Sequence, residues 1–180
     1  ASFRPIEDYG LIGNMISAAL VSRGGSIDWL CLPRFDSDAC FAALLGEPQN
    51  GRWLIAPRAE RCRISRRYLP GTPVLETRFE TDTGAVTLTD FMPLTDDEEK
   101  VDVVRIVKGE KGSVEMAMEL VLRFNYGRTV PWVQRRDYGL SAVAGPDTVE
   151  LHTHIGLGGR DMKTLGAFTV KKGQSVPFTL

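Results

Sequence analysis

Apolar and polar residues alternate along most of this chain, and short segments rich in glycine, proline or aspartate separate the alternating runs. The clearest case is the pair of segments 74–81 and 85–91, which flank Asp82-Thr83-Gly84 and predict a half-buried β-hairpin. Roughly a dozen short strands at intervals of about 8–12 residues predict an all-β fold, a large antiparallel β-sandwich. The other predicted strands cover residues 16–22, 26–32, 52–57, 63–68, 102–108, 113–124, 130–135, 140–144, 148–155, 165–171 and 175–180.

The segment 113–124 has apolar residues at every second position, with glutamates on the opposite face. A helix would scatter these apolar residues around its axis, so their period of two predicts a strand. We interpret 102–108 and 113–124 as a second hairpin that turns at residues 109–112. The alternating apolar residues are Val114, Met116, Met118, Leu120 and Leu122.

The segments 16–22 and 26–32 are predicted to form the central hairpin of the fold, because Gly24-Gly25 between them tolerates the positive φ of a tight turn. This pairing sets Leu20 opposite Trp29. Both faces of the ribbon are apolar away from the turn, which is typical of strands in the interior of a sheet.

A short helix is predicted directly after this hairpin. Pro33 ends the second strand, because proline has no N–H for a ladder. Asp36 or Ser37 then caps a helix whose body is 39–45 and which ends at Gly46.

Composition excludes several classes of protein. The 180 residues are 43% hydrophobic and 25% charged, which is typical of one ordered domain. With 22 Lys and Arg against 23 Asp and Glu, the net charge of −1 argues against a nucleic-acid partner. No apolar run approaches the roughly 20 residues of a membrane span, and the first residues match neither a signal nor a transit peptide. An odd count of cysteines, Cys31, Cys40 and Cys62, favours unpaired thiols and a cytoplasmic location.

Glycoside hydrolysis requires two carboxyl groups that face each other across a sugar. Each candidate in this chain has a structural explanation, so we predict no catalytic residue. Asp28 lies diagonally across the hairpin from Arg23, and Asp36 suits a helix cap. Glu76 faces outward on a strand, and Asp90 ends one. The candidates are Asp28, Asp36, Asp38, Glu76 and Asp90.

No metal or cofactor site is predicted. His152 and His154 share one face of a strand, which two metal ligands could use, but no third ligand lies nearby in sequence. Exposed strand residues are the simpler interpretation. The glycine-rich run 156–159 follows a strand but opens no helix, so it does not match a phosphate-binding loop.

Exposed aromatic rings could form flat platforms for sugars. Trp132 follows Pro131 and is the most exposed candidate by context, so it is the candidate for substrate binding. Packing in the core is the alternative for each aromatic residue. The others are Trp53, Tyr126 and Tyr138.

The turn 33–37 is more elaborate than most strand connections, which are short and polar. It places a proline, a guanidinium, an aromatic ring and a carboxylate in succession. We interpret Arg34, Phe35 and Asp36 as candidates for substrate binding or for a domain interface. A purely structural alternative is that Arg34 and Asp36 pair with each other.

Several motifs carry a family resemblance: IEDYGLIG (6–13), GSIDWLCLPRFDS (25–37), RYLPGT (67–72), LET (75–77), TDFMP (89–93) and FNYG (124–127). Together they resemble the N-terminal part of bacterial glucoamylase- and trehalase-like proteins of glycoside hydrolase family 15. Two positions depart from that pattern, Asp38 in place of proline and Asn125 in place of aspartate.

The resemblance implies a β-sandwich of the super-sandwich type, followed in the parent protein by an α/α barrel that contains the catalytic glutamates. The parent would hydrolyse an α-glucosidic bond in trehalose, maltose or a longer glucan with inversion. The strand-like end of the chain, 176–180, favours a single domain, 1–180, cut from that longer protein. This domain would support and cap the barrel. Alternatives are a free-standing carbohydrate-binding module and a sandwich enzyme of the epimerase type, which needs a histidine–carboxylate pair.

Overall fold

The computed structural model describes residues 5–97 and 100–180. Within these residues the chain forms fifteen β-strands and three single-turn 3-10 helices, Ile6–Asp8, Ala43–Leu45 and Pro48–Asn50. The strands are β1 Tyr9–Gly13, β2 Ala18–Ser22, β3 Ser26–Cys31, β4 Ala39–Phe41, β5 Arg52–Pro57, β6 Arg63–Tyr68, β7 Leu75–Thr81, β8 Gly84–Phe91, β9 Val104–Val121, β10 Trp132–Arg136, β11 Gly139–Ala144, β12 Asp147–Thr153, β13 Leu157–Arg160, β14 Lys163–Lys171 and β15 Ser175–Thr179. The predicted all-β fold is confirmed.

The strands are all antiparallel and form two layers that share one strand. The first layer has the order β1-β2-β3-β5-β9-β14-β13, with β4 beside β3. The second layer has the order β6-β7-β8-β9-β15-β12-β11-β10. The strand β9 belongs to both, because its first half pairs with β8 and β15 and its second half with β5 and β14. Hydrogen bonding is therefore continuous from one layer to the other.

The predicted hairpin about residues 109–112 is wrong. Both halves are strands, but β9 bends there and continues into the other layer for 18 residues in all. Gly112 has a φ of +61°, and a Cβ on Gly109 would lie 2.1 Å from the carbonyl oxygen of Lys171. The glycines thus allow a bend with close backbone approach, and alternation alone does not distinguish a bend from a turn.

The two layers pack their apolar faces against each other. Trp53 of the first layer contacts Phe178 of the second, with ring centroids 6.4 Å apart. The ring centroid of Phe168, also in the first layer, lies 5.5 Å from that of Phe178. One core cluster contains residues from both layers. Face-to-face packing of this kind defines a β-sandwich.

A buried ion pair also joins the layers. The Asp90 and Arg105 side chains are fully buried, and Arg105 Nε donates to Asp90 Oδ1 at 2.7 Å. The same guanidinium donates to the carbonyl oxygens of Trp53 at 2.6 Å and Gly25 at 2.8 Å. Asp90 and Arg105 lie in the second layer, whereas Trp53 and Gly25 belong to the first.

The central hairpin is confirmed, with Leu20 opposite Trp29. The predicted helix after it is wrong over most of its length. Ala39–Phe41 is strand β4, which pairs with β3, and only Ala43–Leu45 forms a helical turn. The cause is tertiary pairing, which outweighs the helix propensity of the alanines.

Two further features bear on the sequence predictions. No helix in the described part of the chain is long and apolar enough to cross a membrane. All three cysteines are free thiols, with Cys31 and Cys40 buried and Cys62 half-buried.

Candidate interaction sites

The turn between β3 and β4 is fixed by its own hydrogen bonds. The Ser37 N–H donates to the carbonyl oxygen of Arg34, and the Ser37 hydroxyl accepts from the Arg34 N–H, both at 3.1 Å. The Phe35 N–H donates to the carbonyl oxygen of Ile16 at 3.1 Å, which ties the turn to the β1–β2 loop. The peptide bond between Leu32 and Pro33 is cis. The turn is therefore an ordered part of the surface.

The candidate side chains of this turn point to solvent. Arg34 Nε lies 3.2 Å from Asp36 Oδ1, so the predicted ion pair is present. Phe35 is 59% exposed, which is unusual for an aromatic ring that has no polar group. The structure thus contains both the pairing of Arg34 with Asp36 and an exposed apolar ring beside it.

Two aromatic residues lie close to the end of this turn. The rings of Trp29 and Tyr126 are 6.2 Å apart, and Trp29 packs on the buried Ala39 of β4. Partial desolvation together with the Asp38 carboxylate raises the pKa of Tyr126. Asp38 directly follows the turn, so the turn and these rings form one continuous surface.

Trp132 is 74% exposed, as its context predicted. It begins β10, at the edge of the second layer, and lines a cleft of about 510 Å³ between this edge and the β13–β14 edge of the first layer. The apolar walls of the cleft include Leu120, Leu140 and Leu157. Most of the surface that lines this cleft is apolar.

Arg123 lies in the wall of the same cleft and is only 9% exposed. Its Nη1 donates to the carbonyl oxygens of Leu122 at 2.7 Å and Met162 at 3.2 Å. Burial lowers the pKa of Arg123. Sequence reasoning did not single out this residue, because its burial depends on the distant β13–β14 turn.

Each carboxylate considered for catalysis has a structural partner. Asp28 accepts hydrogen bonds from Tyr9 at 2.8 Å and from Ser26 at 2.5 Å, so the predicted pairing with Arg23 is wrong. Arg23 lies 3.9 Å from Asp8 instead. Asp36 is not a helix cap, because no helix follows it. Glu76 pairs with Arg67 and Asp90 with Arg105, and the Asp38 carboxylate influences the pKa of Tyr126.

One histidine–carboxylate group assembles on β12, beside the turn between β10 and β11. Tyr138 donates to Glu150 at 2.6 Å, and His152 Nε2 lies 3.3 Å from the same carboxylate. The Tyr138 and His152 rings stack at 4.3 Å. The hydrogen bond to Tyr138 lowers the pKa of Glu150. The Glu150 and His152 side chains are 43% and 51% exposed, so solvent surrounds the group.

The described residues contain no group of three His, Cys, Asp or Glu side chains that could hold a metal ion. His154 lies one residue beyond β12 and is exposed. The stacking of His152 on Tyr138 was not predicted, because Tyr138 lies in the turn before β11 and reaches His152 only through the pairing of β11 with β12.

Residues 1–156 match the family model described as "Trehalase-like, N-terminal". The chain is 31% identical to the trehalase of Mycolicibacterium smegmatis over an alignment that covers 89% of this chain and 28% of that protein. It is 35% identical to trehalase 1 of Sulfolobus acidocaldarius over 75% of this chain and 22% of that protein. The trehalase of Mycobacterium tuberculosis is 28% identical over 97% of this chain and 29% of its own length.

No solved structure matches the chain. The chain spans less than a third of the length of the curated relatives it matches. The match confirms the trehalase-like part of the predicted resemblance. With a family model over 1–156 and an all-β sandwich, the chain belongs to the trehalase-like N-terminal family.

Proposed function

We propose that this chain is the non-catalytic N-terminal β-sandwich of an inverting α-glucoside hydrolase of the trehalase or glucoamylase type. In this proposal it packs on a C-terminal α/α barrel, which binds the substrate and performs the hydrolysis. The family match over 1–156 is the observation on which the proposal rests. The structural partners of the candidate carboxylates support it, because paired groups are not poised as an acid and a base.

The turn 33–37 is the proposed contact with the barrel. Phe35 is exposed at 59%, and the ion pair of Arg34 with Asp36 beside it presents charge at the same surface. An apolar ring next to a polar pair matches the composition of protein interfaces, where aromatic residues and arginine are enriched. Pro33 and the hydrogen bonds of Ser37 hold the turn in one conformation, which lowers the entropic cost of docking.

The relatives are named trehalases, so trehalose is the first substrate to test for the parent protein, with maltose and longer glucans as the others. Membership of glycoside hydrolase family 15 belongs to the same proposal. The three free thiols support a reducing compartment, the cytoplasm. The near-neutral charge supports a role without nucleic acid, and no cofactor or membrane is part of the proposal.

The isolated chain tests the non-catalytic role. We expect no glucose release when it is incubated with trehalose, maltose or maltooligosaccharides. Asp28→Asn and Asp36→Asn chains, purified in parallel, show whether any signal belongs to the chain. Hydrolysis above background that disappears in either variant would overturn the proposal.

The longer protein tests the turn. We expect Arg34→Ala to lower glucoside hydrolysis while the unfolding free energy of the sandwich changes by at most ~1 kcal/mol, since exposed ion pairs contribute little to stability. The matched control is Arg160→Ala, which removes an exposed pair with Asp161 at 3.4 Å far from the turn. Full activity together with a destabilised sandwich would show that the turn serves only the fold of this domain.

One observation, the exposure of Trp132, favours the alternative of a free-standing carbohydrate-binding module. The lengths of the curated relatives favour the first proposal, because each is more than three times as long as the segment that matches this chain.

A further inference from the structure

Two arginines are buried among the described residues, and they differ in how their charge is balanced. Arg105 is fully buried and is held by the Asp90 carboxylate and by two backbone carbonyls. Arg123 is 91% buried by the same measure, and its hydrogen bonds to described residues go from Nη1 to two carbonyl oxygens. No carboxylate in the described part of the chain forms an ion pair with Arg123. A buried charge without a counter-charge is costly, which makes this exception informative.

The other two nitrogens of Arg123 differ from Nη1. Nε and Nη2 have no hydrogen-bond partner among the described residues, yet neither is a fully buried unsatisfied atom. Each of them therefore keeps a small accessible surface. Arg123 lines the cleft beside Trp132, so the cleft is where these donors are accessible.

The rest of the cleft is positive and apolar. The described residues that line it include Arg123, Arg135 and Lys163 but no Asp or Glu. Lys163 lies 3.2 Å from Glu119, which leaves the other two cations without a carboxylate partner among the described residues. The exposed indole of Trp132 and the walls around it supply a flat apolar surface.

We propose that this cleft binds a sugar that carries an oxyanion, either a carboxylate or a phosphate ester. The two free nitrogens of Arg123 would donate to the oxyanion, an arrangement that a planar guanidinium makes with two parallel hydrogen bonds. The Trp132 indole would cover one face of the sugar ring. The volume of about 510 Å³ lies within the usual range for small-molecule sites.

This inference does not rest on the proposed function, because the cleft lies at the β10 and β13 edges and shares no residue with the turn 33–37. The two can therefore fail separately. A sandwich that packs on a catalytic barrel and a sandwich that stands alone would both present this cleft.

Isothermal titration of the 180-residue chain tests the proposal with four probes: glucose, glucuronate, glucose 6-phosphate and inorganic phosphate. We expect the two anionic sugars to bind on the order of tenfold or more tightly than glucose. Comparing glucuronate with glucose 6-phosphate identifies which oxyanion the cleft prefers. Inorganic phosphate should bind more weakly than glucose 6-phosphate, because it lacks the ring that Trp132 covers.

Variants assign the binding to the cleft. Arg123→Met should abolish the preference for anionic over neutral sugar. Trp132→Ala should weaken the binding of both anionic sugars and should not strengthen the binding of glucose. Arg123→Lys keeps the charge but loses the two-pronged geometry, so intermediate binding is expected. The control is Arg67→Met, in a groove where Glu76 already balances the charge of the arginine. This variant should bind each probe with the same affinity as the unmodified chain. Circular dichroism confirms that each variant is folded.

Several results would overturn the proposal. These are the absence of binding by any probe, equal affinity for glucose and glucose 6-phosphate, and unchanged binding of the anionic sugars in a folded Arg123→Met chain. Equal affinity for inorganic phosphate and glucose 6-phosphate, unchanged by Trp132→Ala, would refute the sugar platform.

Discussion

Two glycines with nearly the same positive φ allow a direct test of how the turn of the central hairpin is held. Gly25 has a φ of +83° and Gly173 a φ of +85°, so alanine is strained at either position by about 1–2 kcal/mol. They differ in surroundings. A Cβ at Gly25 would lie 2.3 Å from the carbonyl oxygen of Ile55, whereas a Cβ at Gly173 meets nothing within 4 Å.

We expect Gly25→Ala to destabilise the chain by at least ~2 kcal/mol more than Gly173→Ala. Relief of the Cβ contact requires a shift of roughly 0.7 Å between two backbone segments, a case of overpacking that costs about 1–3 kcal/mol. The shift also disturbs the carbonyl oxygen of Gly25, which accepts from the Ile55 N–H at 3.0 Å and from Arg105 at 2.8 Å. Each lost buried hydrogen bond adds about 1–3 kcal/mol.

Urea unfolding followed by circular dichroism measures both variants against the unmodified chain. For a domain of this size the extra loss corresponds to a further drop in Tm of about 4–8 °C. Equal destabilisation by the two alanines would refute the reasoning, because it would show that backbone strain alone, and not the close approach to Ile55, sets the cost at Gly25.

Two further predictions concern titratable groups. Burial raises the pKa of all three thiols, so each should react slowly with a thiol reagent at pH 8 in the folded chain. Cys62 is half-buried and Cys40 is buried, so Cys62 should be modified first and Cys40 only on unfolding. The unfolded, unreduced chain should titrate as three thiols, and a count of one would contradict the prediction that the cysteines are unpaired. Burial raises the pKa of Glu119, but hydrogen bonds and charge from Arg52 and Lys163 outweigh it and leave the pKa below its usual value. This depressed pKa stabilises the folded chain above the unfolded pKa of about 4.3, and the stabilisation is lost as the pH falls. The Glu119→Gln variant should therefore show a smaller fall in unfolding free energy between pH 6 and 3. An unchanged fall would contradict this prediction.

The strands that sequence analysis identified are those in which side-chain alternation and turn residues agree. The hairpin of β7 and β8 is the clearest example. β1 and β13 were missed because their glycines weaken the strand signal. β4 was taken for a helix because two of its three residues and the two after it are small or helix-forming, and only its pairing with β3 makes it extended.

The path of β9 could not be predicted from its own sequence. Alternation continues on both sides of the bend at Gly109 and Gly112, and Lys171, which lies against Gly109, is 62 positions away from it in the chain. The alternation of apolar and polar residues indicates which face of a strand is apolar, but it does not indicate which sheet the strand joins. The same limit explains why a hairpin was the natural prediction.

For the candidate sites, exposure was more predictable than burial. The neighbours of Trp132 in sequence indicated its exposure correctly. The burial of Arg123 depends on Met162, and the grouping of Tyr138 with His152 depends on the turn before β11, which is hydrogen-bonded to Thr153 at the end of β12. Such sites arise from tertiary contacts between residues that no local motif connects.

The outer face of the first layer adds a separate argument about where a partner docks. Leu11, Leu20 and Trp29 lie opposite one another across β1, β2 and β3, on the face away from the core. Leu11 is 56% exposed, and the other two are half-buried. Farther along the same face, Arg52 and Glu119 form an ion pair at 2.7 Å.

Solvent favours the charged end of this face, whereas an apolar row gains free energy only when another surface covers it. The apolar row and the turn that presents Phe35 are connected through the β1–β2 loop, because the Phe35 N–H is bonded to Ile16 in that loop. We expect a partner that contacts Phe35 to reach Leu11 as well. This geometry supports docking of the proposed barrel at the β1–β3 end of the layer, and it predicts that Leu11→Ser and Phe35→Ser weaken the same contact.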